Sequence, residues 1–178
     1  MPHIFGNRIV LREYRDSDLD YIRQWVNDPE ITNTLSDNFL YPHSKYKTES
    51  FFRTMVEGKS NSKSFIIAVK DSLEYIGQID LYKIDWKNRF ALLAVVIGRK
   101  EYLGKGYGSE AIRILQKFAF EELNLNRIEL EVYEHNERAY KCYLKCGFKE
   151  EGRYRKKIYK NSKYWDSICM SILRSEYE

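Results

Sequence analysis

Three cysteines are too few, and wrongly spaced, for a disulfide framework or a zinc ribbon: their number is odd and no C-x-x-C occurs. Cys142 and Cys146 stand one helical turn apart with no His pair nearby, so they read as small buried apolar residues and not as half a metal site. No metal ligand set is expected. No run of residues approaches the ~18 apolar positions of a membrane span. The start, Met1-Pro2-His3-Ile4-Phe5, lacks the pattern of a secretory signal. These absences predict a cytoplasmic protein with no membrane contact. Charge of one sign is also scarce, since a net charge of +4 is too small to imply nucleic-acid binding by itself. Repeats, low-complexity tracts and linkers are missing too. The chain of 178 residues, 43% of them hydrophobic, is read as a single domain over 1–178 that can bury a proper core.

Two familiar nucleotide motifs are absent as well. A P-loop needs Ser or Thr after its lysine, and Lys105 is followed by Gly106. A dinucleotide fingerprint needs G-x-G-x-x-G after the first strand of a βαβ unit, with an acidic residue about 20 positions on. This chain has instead Leu103-Gly104-Lys105-Gly106-Tyr107-Gly108, in mid-sequence. Before it, Leu92-Leu93-Ala94-Val95-Val96-Ile97 reads as a buried strand. After it, residues 109–123 place apolar side chains at 111, 112, 115, 118, 119 and 123, one face of a helix. Three glycines remove side chains that would keep a ligand from the backbone, and the following helix N-terminus offers free N–H groups and a positive dipole end. The loop is a candidate cradle for phosphate or pyrophosphate; the plainer reading is a tight strand-to-helix turn.

Along the chain, Ile9-Val10-Leu11-Arg12 reads as a first strand, and Ser17 or Asp18 begins a helix with Leu19, Ile22 and Trp25 inward. Pro29 and Pro42 bracket an irregular segment. A helix is predicted over 48–57 and stops at Gly58, followed by strands at 64–70, 74–84 and 90–97, with Asp85-Trp86-Lys87-Asn88 as a hairpin turn. A strand over 127–133, a helix after Asn136, and an antiparallel pair at 157–159 and 164–173 complete the pattern. Strands and helices mix without strict alternation, so the fold class is α+β around one largely antiparallel sheet.

The segment after strand 127–133 is Asn136-Glu137-Arg138-Ala139-Tyr140-Lys141-Cys142-Tyr143-Leu144-Lys145-Cys146-Gly147-Phe148. Asn136 suits an N-cap and Gly147 a C-terminal stop. The order of strand, G-x-G loop, helix, strand and N-x-x-A-x-x-x-Y-x-x-x-G-F resembles the Gcn5-related N-acetyltransferase (GNAT) superfamily. Trp25-Val26-Asn27-Asp28-Pro29-Glu30 and Trp165-Asp166-Ser167-Ile168-Cys169-Met170 resemble its ribosomal-protein alanine and spermidine acetyltransferase branch.

The resemblance implies a GNAT-like single domain: a mixed, mostly antiparallel central sheet with a splayed parallel strand pair, flanked by helices. It implies acetyl-CoA as cosubstrate in the splay, with main-chain groups of Val95, Val96 and Ile97 along the pantetheine. The loop Leu103, Gly104, Lys105, Gly106, Tyr107 and Gly108 would hold the pyrophosphate, with Leu103 where the family has Gln or Arg. Asn136 would contact the cofactor, and Lys105 and Arg99 could add positive charge at its mouth. Tyr143 occupies the position of the general acid that protonates the leaving thiolate; Tyr140, one turn earlier, is the decoy. Leu93 stands where spermidine-type relatives are expected to carry a Glu. Asp80 is the leading replacement as base, followed by Glu129, Glu131 and His135, with a water-mediated base as an alternative.

The implied activity is acetyl-CoA-dependent N-acetylation of a primary amine. A small-molecule acceptor such as a polyamine or amino sugar is favoured by the excess of acidic residues from Glu13 to Glu49, and a protein N-terminus is the alternative. Between Lys141 and Lys163 stand nine Lys and Arg against Glu150 and Glu151, a segment that could serve the cofactor phosphates or simply be solvated. A non-catalytic basic interaction module and a nucleotide-binding protein using the same loop are the rival classes. A homodimer is left open.

Overall fold

Short apolar segments separated by turn residues fold into eight strands and five helices. A computed structural model describes residues 3–177. In chain order the elements are β1 (Ile4–Phe5), β2 (Ile9–Arg12), α1 (Leu19–Trp25), α2 (Pro29–Thr32), α3 (Lys45–Val56), β3 (Lys63–Val69), β4 (Tyr75–Asp85) and β5 (Phe90–Ile97). They continue with α4 (Tyr107–Lys117), β6 (Arg127–Tyr133), α5 (Glu137–Lys145), β7 (Lys149–Lys160) and β8 (Lys163–Leu173). All strands form one sheet in the order β1-β2-β3-β4-β5-β6-β8-β7. Every pairing is antiparallel except β5 with β6.

Strand alternation sends side chains to two cores, one on each face of the sheet. On one face Ile79, Leu81, Leu93 and Leu130 meet Ile112 and Leu115 of α4 and Tyr143 of α5. On the other, Val10, Ile66 and Tyr75 meet Ile22 and Trp25 of α1 and Phe52 of α3. Local signals fix the helix ends. Asp28 caps α2 through the Glu30 N–H at 3.0 Å, Ser44 caps α3 through the Lys47 N–H at 3.1 Å, and Asn136 caps α5 through the Ala139 N–H at 3.3 Å.

The parallel pair is short. Only Phe90–Arg127, Ala91–Ile128 and Leu92–Glu129 face each other in register, yet β5 runs on to Ile97 and β6 to Tyr133. Beyond Leu92 the strands diverge. β5 stays bound to β4 and β6 to β8, so the edges facing the gap have no ladder partner.

Several boundaries differ from the sequence reading. β1 has only two residues, too few for periodicity, and exists through pairing with β2. α3 begins at Lys45 and not at 48 because Ser44 supplies the cap. The helix expected over 109–123 starts at Tyr107 and passes at Phe118 into a π-helical turn ending at Glu122. β7 begins at Lys149, well before the expected 157; its side chains are almost all exposed, so no alternation marks it and pairing with β8 alone makes it a strand. β5 is not uniformly buried: Ala91 and Leu93 are buried while Ala94 is exposed.

Candidate active site

The glycine loop ends β5 and starts α4. Gly104 and Gly106 have φ of +70° and +83°, which a side chain would strain. Gly106 is the N-cap and brings no side chain to cap the helix, so the first N–H groups of α4 stay open to a ligand. Gly108 has room for a Cβ, with Ile97 3.9 Å away, and its lack of one keeps the helix start bare beside the end of β5. Leu103 and Tyr107 turn their side chains inward, so what they offer a ligand is backbone. Lys105 is exposed.

Arg8 was not singled out by the sequence. It donates to the Lys105 carbonyl at 3.0 Å, pairs with Glu110 at 2.9 Å and stacks on the Tyr107 ring at 4.3 Å, fixing the loop from outside. No local motif marks it, because its partners lie about a hundred residues away in sequence. Arg99 does not serve the mouth as a free cation: Glu74 and Glu101 neutralise it and it lies against the rings of Tyr21 and Tyr102.

Tyr143 sits on α5 behind the splay. It is 8% exposed, packs edge to face on Phe148, and its phenol has no hydrogen-bond partner among the described residues. Burial, followed by the neighbouring Cys142, Cys146 and Tyr82, pushes its pKa above the ordinary phenol value, so it holds its proton throughout the working range. Tyr140, partly buried against the same core, donates its hydroxyl to Glu150 at 2.9 Å.

On the opposite face of the sheet, Ser64, Asp80 and Ala94 form one row across β3, β4 and β5. Asp80 is half-buried, and its Oδ1 is closed to solvent with no hydrogen-bond partner. Burial lifts its pKa to about 6, against a smaller lowering by Ser64. Leu93 faces the other way, 3% exposed in the core under α4, so a carboxylate there would be buried away from this row. The other candidate bases are engaged: Glu129 pairs with Arg127 at 2.7 Å, and Glu131 with Lys157 at 3.1 Å and the Ser167 hydroxyl at 2.7 Å. His135 lies between Tyr133 and Trp165 with Nε2 3.4 Å from the Asn33 carbonyl, outside the row. Several acidic residues of the N-terminal part are likewise matched, Asp18 by Arg12, Glu13 by Arg15, and Asp28 with Glu30 by Lys100.

A parallel pair that opens over a bare helix N-terminus, with a buried tyrosine behind the gap, is the architecture the sequence motifs implied. The family description "acetyltransferase (GNAT) domain" matches residues 8–149. The chain belongs to the GNAT acetyltransferases. It is 31% identical to the N-acetyltransferase p20 of Bacillus licheniformis, over 99% of each chain. It is 27% identical to the spermidine N(1)-acetyltransferase of Escherichia coli, over 97% of this chain and 89% of that one. Among solved structures it superimposes on spermidine N-acetyltransferase from Vibrio cholerae in complex with CoA and spermine, with a TM-score of 0.84 and 26% identity, over 97% and 99% of the two chains.

As a GNAT acetyltransferase the protein is an acetyl-CoA-dependent N-acetyltransferase. Its residues fit that cosubstrate. The unpaired edge of β5 can bond the amides of a pantetheine arm, which would otherwise leave backbone groups unsatisfied. The uncapped start of α4 suits a pyrophosphate. Cys142 is only half-buried and meets the Ser109 hydroxyl at 3.2 Å, so it is less inert than its sequence reading, while Cys146 is buried as expected. No helix among the described residues is long and apolar enough to cross a membrane, and they contain no cluster of three metal-ligating side chains.

Proposed function

We propose that residues 1–178 act as one domain that transfers the acetyl group of acetyl-CoA to a small primary amine, such as a polyamine or an amino sugar. Asp80 takes the proton from the amine. The free amine attacks the thioester carbonyl beside Ala94, and Tyr143 gives its phenolic proton to the departing thiolate. Main-chain groups of Val95, Val96 and Ile97 hold the pantetheine and the carbonyl oxygen. Backbone N–H groups of Gly104, Gly106, Tyr107 and Gly108 hold the pyrophosphate with Leu103 and Lys105 at its edge, and Asn136 contributes its free amide group at the start of α5.

The observation that supports this most directly is the placement of one unmatched carboxylate, Asp80, in the row that ends at the splay. A base with a pKa of about 6 is mostly ionised at neutral pH and close to the optimum for proton abstraction there. The spermidine acetyltransferase relatives support a small cationic acceptor. Three free cysteines are in keeping with the cytoplasm as its compartment.

The test is thiol release from acetyl-CoA with spermidine, glucosamine and a short Ala- or Ser-initiated peptide. Saturable release with spermidine or glucosamine is expected. Turnover of the peptide alone would replace the small amine by a protein N-terminus. Lack of both turnover and thermal stabilisation by acetyl-CoA would overturn the catalytic reading.

A further inference from the structure

Two orphaned polar atoms lie side by side in the sheet. Asp80 Oδ1 and Ser64 Oγ are both buried without a hydrogen-bond partner, on neighbouring strands, and their residues are paired in register. Cβ atoms of such a pair stand about 4.5–5.5 Å apart, within reach of a direct or a one-water bridge. Leaving either group unsatisfied costs about 1–3 kcal/mol, so the pair calls for an explanation. Ser64 also stands at the wall of a cavity of about 270 Å3 shared with Tyr14, Met55, Ser60 and Ser62, its Oγ itself closed to solvent.

We propose that Ser64 is a positioning residue for Asp80, its hydroxyl orienting the carboxylate towards the amine. The inference rests on Asp80 being the base. In each turnover the amine N–H bond breaks and an Asp80 O–H bond forms, and Asp80 then releases that proton to solvent and returns to the carboxylate.

No cation competes for this role. Around Asp80 stand Tyr14 from the segment after β2, Ser64 from β3, Tyr75, Gln78 and Tyr82 from its own strand, and Ala94 from β5, with Glu131 of β6 beyond Tyr82. Tyr75 donates to Gln78, and Gln78 donates to Tyr14, while Ser64 is the hydroxyl paired in register with Asp80. Ser64 also lowers the pKa of Asp80 against the effect of burial, the direction expected of a group that favours the carboxylate.

The test uses the full chain labelled with 13C at aspartate carboxyls, the Asp80 resonance being assigned by its loss in Asp80→Asn. In the wild type it is expected to titrate near pH 6. In Ser64→Ala it is expected to titrate about one unit higher, while Ser64→Thr, which keeps the hydroxyl, returns it to the wild-type value. With spermidine as the acceptor, Ser64→Ala is expected to lower kcat about tenfold at pH 7, with KM for acetyl-CoA unchanged and the acid limb of kcat/KM moved to higher pH. Full activity of Asp80→Asn would overturn the base and the positioning role together. An inactive Asp80→Asn with an unshifted titration in Ser64→Ala would overturn the positioning role alone. If neither spermidine nor glucosamine is turned over, the acceptor reading fails, and an unshifted titration in the protein alone still overturns the Ser64 contact.

Discussion

Tyr143 and Asp80 are both desolvated ionisable groups, and desolvation strengthens the hold of each on its proton. Desolvation disfavours the charged form, so a phenol becomes a firmer holder of its proton and a carboxylate a stronger base. Tyr143→Phe is expected to lower kcat about 100-fold or more, the usual range for a lost general acid, measured as thiol release. Its thermal midpoint should stay close to the wild type, because no hydrogen bond in the free protein is removed. Asp80 has a stability signature as well. Its folded pKa of about 6 lies above the ordinary 3.8, so its favourable contribution is complete below pH 4 and is lost as the pH rises through 6. Asp80→Asn is therefore expected to be inactive yet more stable than wild type at pH 8, by about 2–3 kcal/mol, with no gain below pH 4. Urea denaturation at the two pH values checks this.

In the proposed site strand β5 serves two neighbours, β4 through its ladder and the cosubstrate through its open edge. Gly77 of β4 makes this possible. A Cβ there would lie 2.1 Å from the Val96 carbonyl oxygen, so any larger residue pushes β5 towards the cleft. Past this point Gly98 and Arg99 both donate to the Ile76 carbonyl, at 3.0 and 3.2 Å, a bulge that turns the chain into the glycine loop. Gly77→Ala is expected to destabilise the protein by about 1–3 kcal/mol and to raise KM for acetyl-CoA more than KM for the amine. Chemical denaturation and initial-rate kinetics measure the two effects. A change confined to the amine KM would argue against β5 as the cofactor edge.

The two faces of the sheet hold different parts of the proposed site, with α4 and α5 carrying the glycine loop and Tyr143, and α1 and α3 backing the face where Asp80 lies. The second face depends on one buried ion pair. Arg12 on β2 and Asp18 ahead of α1 are 2% and 1% exposed and joined by two bonds of 2.7 and 2.8 Å, with Arg12 also donating to the Leu73 and Glu13 carbonyls. Removing one member leaves a charge buried without its partner, so Asp18→Asn is expected to cost about 3–5 kcal/mol in urea denaturation. The double variant Arg12→Met with Asp18→Leu should recover much of that loss, because an apolar pair avoids the desolvation of two charges. Additive losses in this cycle would show that the pair is not coupled.

The sequence by itself determined the elements with strong local signals and put Tyr143 forward as the candidate acid. Glycines at 104 and 106, the cap at Asn136, the stop at Gly147 and the apolar spacing of α4 each act within one turn of chain, so they are legible without the fold. Tyr143 was readable because its motif is local, and Asp80 was only one candidate among several. Tertiary structure alone decided which carboxylate is left unmatched, since Glu131 is neutralised by Lys157 from β7 and Glu129 by Arg127. It also decided that Leu93 faces the core, that Arg99 is tied to Glu74, and that Arg8 steadies the loop. β7 became a strand only by pairing with β8. The physical reason is the same in each case: capping and turn preferences are properties of neighbouring residues, whereas burial and charge matching belong to groups that meet only when distant strands align.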